Sequence, residues 1–462
     1  MAIKSFELEP TRENLLNTLT KNLLDRNKSV WQFARFCDAQ DGKCSIAIDA
    51  KWGQGKTFFV KHVQLLLDSF NEFSTSVSTE ERESIKSAFS EYIGSGENAV
   101  ELEQQVCVYY DAWANDNDSD PILSLVYEII KGAAQHYSLK KDVDFIKAAA
   151  TIADFFTGKN AADIVALAQE RDLLSELKSQ KEIHDIVADF LESLLYEQGD
   201  RLVVFVDELD RCKPSYAVQL LERIKHYFAN DRITFVFSIN ADELQHTIKC
   251  FYGEGFDSCR YLDRFFDYRI ALPPANMTRY YQEIGLNSGH WVYDAVCKAV
   301  IETFSLELRE AEKFYRMAKI AADKAVYIQA LSGFPDENAL RFSLCIVVPI
   351  IIGLRMTDMA LYNDFIAGRN PQPLIDVMGD GRFARGICAT LLDRDETFDE
   401  DQEERETVLL SDKLRAAYRA LFDDSIKTNW GEAHVGGCSF SRETKDTTLR
   451  ATSLLSEFAN YE

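Results

Sequence analysis

An α/β fold is what the sequence predicts: a mostly parallel sheet around a phosphate-binding loop, a helical insertion within it, and a helical C-terminal domain. Three observations carry that expectation. Ser45 to Phe59, SIAIDAKWGQGKTFF, reads as strand, phosphate loop and helix. Arg201 to Arg211, RLVVFVDELDR, reads as a strand buried on both faces and ending in acids. From Ala275 onward the pattern turns to helices with few strand signals.

Taken in order, the chain opens with a helix start at Pro10-Thr11, and Leu15, Leu16, Leu19, Leu23 and Leu24 follow at helical spacing. The phosphate loop comes next. Phosphate oxygens need converging backbone N–H groups, so Gly53 and Gly55 clear side chains from the approach, and Trp52, Gln54 and Phe58 complete the segment. The helix beginning at Gly55 adds the positive end of its dipole. Lys56 is expected to reach the β- and γ-phosphates, and the Thr57 hydroxyl to take one position on Mg²⁺. Ala50 stands where such loops usually begin with glycine, and alanine resists positive φ, so the backbone there is a point of interest.

The Ser/Glu-rich stretch Ser74 to Glu103 shows no apolar stripe and reads as a surface excursion. Val106 to Tyr110, VCVYY, is a short buried strand, and Pro121 opens a helix with Ile122, Leu125, Val126, Ile129 and Ile130 on one face. Residues 132–198 are helical by composition; Lys147, Asp154, Lys159 and Asp163 interrupt their Ala-rich part. In RLVVFVDELDR, Asp207 is expected to hold the Mg²⁺ shell through water and Glu208 to orient and deprotonate the attacking water. The alternative for these acids is a solvated turn. A helix from Pro214 to about Phe228 and a third core strand, Ile233 to Ile239, follow. Asn240 at its tip is the candidate sensor of the γ-phosphate, with turn formation as the plain alternative. Tyr261 to Leu272 holds a further strand, and Pro273-Pro274 closes the core.

The expected organisation is 1–74, N-terminal helix, first strand and phosphate loop; 75–105, surface excursion; 106–131, core strand and helix; 132–200, helical insertion; 201–275, the rest of the core; and 276–462, the C-terminal helical domain. A length of 462 residues allows two or three domains. The charge of −24, from 51 basic and 75 acidic side chains, argues against broad nucleic-acid binding or a nucleic-acid motor. Ten cysteines without a C-x-x-C pair suit reduced thiols in a cytoplasm, and seven histidines show no metal-ligand spacing. No signal peptide is read at the N-terminus. The most apolar run, Phe342 to Leu354, contains Pro349 and falls short of a bilayer span, so a buried helix pair is expected and no transmembrane segment. Residues 393–406 carry nine acids against two arginines and read as a solvated linker or exposed helix.

Five motifs in this order resemble the KAP P-loop NTPases, relatives of the AAA-plus and STAND groups. Trp52-Gly53-Gln54-Gly55-Lys56-Thr57 resembles that family's W-G-x-G-K-[ST], and Tyr110-Asp111-Ala112-Trp113 with Pro121 its N-A-W segment, with Asp111 where Asn is common. Asp207 to Cys212, DELDRC, with Pro214 resembles the extended Walker B motif, Tyr261 to Arg264 its Y-L-[DE]-K, and Leu306 to Arg309 its L-x-x-R. The likeness spans roughly residues 7–370. It implies a P-loop NTPase core with Glu208 as catalytic glutamate, an insertion between Walker A and Walker B, and a helical domain behind. In many relatives that insertion carries transmembrane helices; here it reads as soluble. Arg264 sits where AAA-plus relatives place an arginine finger, and Arg309 where a sensor arginine would come from the helical domain; each has a structural salt bridge as its alternative. Arg211 reads as structural.

The resemblance thus implies Mg²⁺-dependent ATP hydrolysis driving a conformational switch or assembly, with GTP left open because the loop reads phosphates and not purines. A homo-oligomer, a separate effector protein, or both are the expected partners, and bacterial antiviral defence the setting. The alternative is a nucleotide-stabilised scaffold that recruits an effector with little turnover.

Overall fold

The computed structural model describes residues 9–94, 100–118, 120–137, 195, 199–228, 230–276, 279, 282, 291–326, 335–379, 403–427 and 431–453. Two compact units divide the chain, Leu8–Asn276 and Met277–Glu462 together with Met1–Glu7. Most of the expected insertion at 132–200, and residues 393–402 of the acidic run, lie outside the described residues.

The first unit is organised by five strands: β1 (Cys44–Asp49), β2 (Gln105–Asp111), β3 (Arg201–Asp207), β4 (Ile233–Ile239) and β5 (Tyr268–Ala271). They form one parallel sheet in the order β2-β3-β4-β1-β5. The near-continuous apolar runs of β3 and β4 follow from this, because every residue of both strands is buried. Alternation then sends successive side chains to opposite faces. Leu202, Val204 and Val206 join Phe235 and Phe237 in one apolar cluster, while Val203, Phe205, Val236, Ile46 and Ile48 join the other.

Helices α1 (Arg12–Thr20), α2 (Asn27–Asp38) and α3 (Lys56–Phe70) contribute to the second cluster. The leading helix is shorter than its leucine spacing suggests. It ends at Thr20, because Asn22 and Asp25 take positive φ in a turn, and a separate helix begins at Asn27. The stretch 75–105 is not a mere surface excursion: α4 (Thr79–Ala88) and the short α5 (Ser90–Ile93) follow a Ser78 capping box, and Val77, Ile85, Phe89 and Leu102 are buried in the core. Four apolar side chains so widely spaced make no stripe, yet each finds a place beneath the helix, with the Phe89 ring 6.4 Å from that of Trp31. On the other face lie α6 (Pro121–His136), α7 (Pro214–Tyr227) and α8 (Ala241–Tyr252), and α9 (Ser258–Leu262) precedes β5.

The second unit contains α10 (Trp291–Thr303), α11 (Leu308–Val326), α12 (Pro335–Phe342), a π turn at Ser343–Val347, α13 (Val348–Thr357), α14 (Met359–Ile366), α15 (Gln372–Met378), α16 (Glu403–Phe422) and α17 (Arg442–Thr452). The apolar run expected as a helix pair lies in one continuous helix, Asp336–Thr357, in which the π turn at Ser343–Val347 directly precedes Pro349, the residue that has no N–H to give the ladder. Asp336–Thr357 is long and apolar enough by composition to cross a membrane, and 78% of its apolar window is buried in the protein. The polar tail after Asn429 forms an antiparallel hairpin, β6 (Glu432–Val435) with β7 (Cys438–Ser441), which the helical expectation did not contain.

One buried network fixes α3 against the sheet. Tyr137 Oη accepts from the Cys107 backbone N at 2.7 Å and donates to Asp68 on α3, whose other oxygen accepts from Ser76 Oγ at 2.9 Å. Burial raises the Asp68 carboxyl to about 6, against the pull of the Tyr137 and Ser76 hydrogen bonds. The folded chain therefore holds this proton more tightly than the unfolded chain, and the group's stabilising effect, full below about pH 4, is lost as pH rises through 6. Raising the pH from 5 to 7 is expected to cost roughly 1–1.5 kcal/mol through this group. Thermal unfolding of Asp68→Asn over that range should show a correspondingly smaller loss than the unsubstituted protein.

Candidate functional site

Because β1, β3 and β4 are parallel, their C-terminal tips share one edge of the sheet, where α/β folds place their ligands. β4 lies between β1 and β3, so the tip bearing Asn240 separates the loop after Asp49 from the acids after Val206. The loop turns through left-handed backbone at Gly53 (φ 86°) and Gly55 (φ 83°), and α3 starts at Lys56. Ala50 needs no such conformation: it is not among the residues with positive φ, and its N–H donates to Ile239 O at 3.1 Å as β1 ends. Gln54 closes the loop through its Oε1, which accepts from Lys51 N at 3.1 Å, and Arg26 Nη1 donates to Gln54 O at 3.0 Å.

The loop and the acids meet directly. Thr57 Oγ1 donates to Asp207 Oδ2 at 2.7 Å, and Tyr109 Oη donates to the same oxygen at 2.9 Å. Lys61 lies over the Tyr109 ring, 4.3 Å from its centre. The Lys56 ammonium donates to Ala50 O at 2.7 Å and Lys51 O at 3.2 Å, inside the loop it follows. Burial pushes its pKa down, while Asp210, Asp207 and Glu208 oppose that shift. Glu208 takes a left-handed backbone, φ 60°, which a side chain tolerates only where its surroundings fix it. Its Oε2 accepts from Arg211 Nε at 2.7 Å. Burial, and then Asp207, raises the Glu208 carboxyl to about 6, with Arg211 pulling the other way.

Asn240 is buried at the N-terminus of α8, yet among the described residues its side chain makes no capping hydrogen bond, so it is not spent on the turn. Beside it on β4, Ser238 Oγ is buried without a partner in the register position opposite Asp207.

Other expected site residues fall elsewhere. The Phe58 side chain packs into the core beside His62, with ring centres 5.9 Å apart. Trp52 is turned toward the acidic segment, its Nε1 donating to Asp210 Oδ2 at 2.6 Å. Arg264 is not brought to its own chain's loop. It is exposed before β5, at the edge where strands begin, with its carbonyl accepting from Lys225 Nζ near the end of α7. Arg309 is exposed in the first turn of α11, in the other unit.

Sequence reasoning missed Tyr109, Asp210, Arg26 and the pair Asp49–Arg269. Asp49 Oδ1 accepts from Ala241 N at 2.9 Å and Oδ2 from Arg269 Nη2 at 2.8 Å, which locks the tips of β1, β4 and β5 together. Asp210 and Asp49 lay within the quoted motifs, but their partners come from distant strands. The Thr57 hydroxyl and Asp207 carboxylate are hard oxygen donors that fit Mg²⁺. Among the described residues no three His, Cys, Asp or Glu side chains form a protein-only metal cage, so such an ion would draw further ligands from phosphate and water.

The sequence profile of the KAP family P-loop domain matches residues 28–287, more than half of the chain. No curated protein gave a match. Among solved structures, the ORC2 protein of Aeropyrum pernix (ADPNP-ADP complexes) is similar at 12% identity, covering 90% of this chain and 98% of that one, with a TM-score of 0.27. A likeness that loose carries no residue or partner across.

Replacing Lys56 by Ala is expected to weaken binding of a Mg²⁺–nucleoside triphosphate at least tenfold, about 1.4 kcal/mol, by removing the loop's cation. Thr57→Ala should instead abolish the dependence of affinity on Mg²⁺. Titration calorimetry with and without the metal separates the two.

Proposed function

The chain belongs to the KAP family of P-loop NTPases, and from that membership we propose that it is a Mg²⁺-dependent ATPase whose hydrolysis drives a conformational switch. The observation that carries the reading is the contact of Thr57 with Asp207 at 2.7 Å, with Glu208 as the next residue. Loop amides and Lys56 would hold the phosphates. Bound Mg²⁺ would supply charge neutralisation on the β- and γ-phosphate oxygens. Glu208 would accept the proton of the attacking water, which a carboxyl raised to about 6 is suited to do near neutral pH. Asn240, with its amide unspent, would orient that water or read the γ-phosphate.

The position of Arg264, at the opposite edge of the sheet from its own loop, favours action on the phosphates of a neighbouring copy. A homo-oligomer assembled in the presence of ATP belongs to the proposal on that ground, and Arg309 is the candidate by which the helical unit senses nucleotide. The proposed setting is the cytoplasm, where reduced thiols persist; the nine described cysteines are all free. Antiviral defence through an effector protein is the proposed role, tested by phage plaquing on cells carrying the active or the Lys56→Ala form.

A nucleotide-stabilised scaffold is the second reading, favoured by the close ion pair that already occupies one oxygen of Glu208. Two variants separate them. On the hydrolytic reading, Glu208→Gln binds ATP normally but releases phosphate at least a hundredfold more slowly, and loses function together with Lys56→Ala. On the scaffold reading only Lys56→Ala loses function. Phosphate release with ATP and GTP, and mass measurement with each, read both base choice and assembly.

A further inference from the structure

Arg211 joins three segments that are far apart in the chain. It ends the 3₁₀ turn Leu209–Arg211 after β3, and its Nε donates to Glu208 Oε2 at 2.7 Å. Its guanidinium carbon lies 5.7 Å from the ring centre of Trp52, in the phosphate loop, and 5.6 Å from that of Trp113, in the turn after β2. Both distances fall within cation–π range. Trp52 is tied in turn to the same acidic segment through Asp210.

Two features of this cluster need a reason. Trp52 and Trp113 are 44% and 52% exposed, and large rings left in water forgo burial. Each has instead the Arg211 cation within cation–π distance of its ring. Glu208, for its part, stands beside two like charges, Asp207 and Asp210, while Arg211 and Lys56 are the cations that face it. Lys56 is engaged with the carbonyls of Ala50 and Lys51, so Arg211 is the cation in contact with the carboxylate. Glu208 takes a left-handed backbone, φ 60°, and its carboxylate is held by that contact.

We propose that Arg211 is a positioning residue for hydrolysis: it aims the Glu208 carboxylate at the attacking water, and its place between the Trp52 and Trp113 rings sets its own position. The shape of the phosphate loop is thereby coupled to the aim of the base. The inference rests on the hydrolytic reading above and extends it to a residue whose sequence context suggested only a structural ion pair.

The test is phosphate release and ADP affinity for the unsubstituted protein, Arg211→Ala, Arg211→Lys and Trp113→Ala. For Arg211→Ala, kcat is expected to fall about ten- to a hundredfold, part of what a general base contributes, with ADP affinity within threefold. Arg211→Lys should recover only part of the loss, because it keeps the charge and not the Nε donor that meets Glu208 at 2.7 Å. Trp113→Ala, at a ring that makes no hydrogen bond to the phosphate loop or Glu208, should lower kcat several-fold at unchanged affinity. A structural arginine would instead lower kcat, affinity and thermal stability together and leave Trp113→Ala like the unsubstituted protein. Turnover of Arg211→Ala within twofold of the unsubstituted protein overturns the proposal while the hydrolytic reading stands. If Arg211→Ala does not fold, full turnover in both Arg211→Lys and Trp113→Ala overturns it equally. Absence of phosphate release from the unsubstituted protein removes the hydrolytic reading and this inference with it.

Discussion

The hydrogen bond from Thr57 to Asp207 is the contact on which the site depends. It joins residues 150 positions apart, at the start of a helix and the end of a strand. The parallel sheet makes the contact possible. With β4 inserted between β1 and β3, the two tips stand one strand apart, a gap that a loop of six residues and a helix start can span. Burial of both faces then enforces register, because a one-residue slip would send Val204 and Val206 to the wrong cluster and swing Asp207 away from the loop.

Around that contact, Asp207, Lys56 and Glu208 are held by partners, whereas Ser238 Oγ is buried without one. Asp207 accepts from Thr57 and Tyr109 on one oxygen and from the Glu208 N–H on the other, so its direction is fixed from three sides. Lys56, pressed by burial toward its neutral form, is opposed by three acids. Glu208 stores backbone strain of order 1–3 kcal/mol in its left-handed conformation. Strain of that size persists only where the surroundings over-determine it, and here Arg211 and the 3₁₀ turn supply the constraint.

The legible parts of the fold were those written in local pattern. The strands at Val106, Arg201 and Ile233, the glycine turns and the Pro214 helix start each declare themselves within a few residues, and the C-terminal unit showed its helices by periodicity. What stayed hidden was long-range. Tyr109 reads as one more apolar residue of a strand, and only its place beside β3 turns its hydroxyl to Asp207. Phe58, adjacent to Thr57, was expected at the nucleotide, but helical geometry rotates it into the core. The helix at 79–88 hides because Ile85 is its buried residue, while Val77, Phe89 and Leu102 reach the core from outside it. Ala50, the departure from the usual loop, proved harmless in backbone terms, since the left-handed positions belong to Gly53 and Gly55.

The most direct measurement is a crystal structure with Mg²⁺ and a non-hydrolysable ATP analogue. The account predicts that Lys56 Nζ exchanges the carbonyls of Ala50 and Lys51 for phosphate oxygens. It also predicts that Thr57 Oγ1 and Asp207 become ligands of the metal shell, directly or through water, with Glu208 facing the γ-phosphate. An analogue bound elsewhere, or bound with Lys56 still on Ala50 and no metal between Thr57 and Asp207, would contradict it.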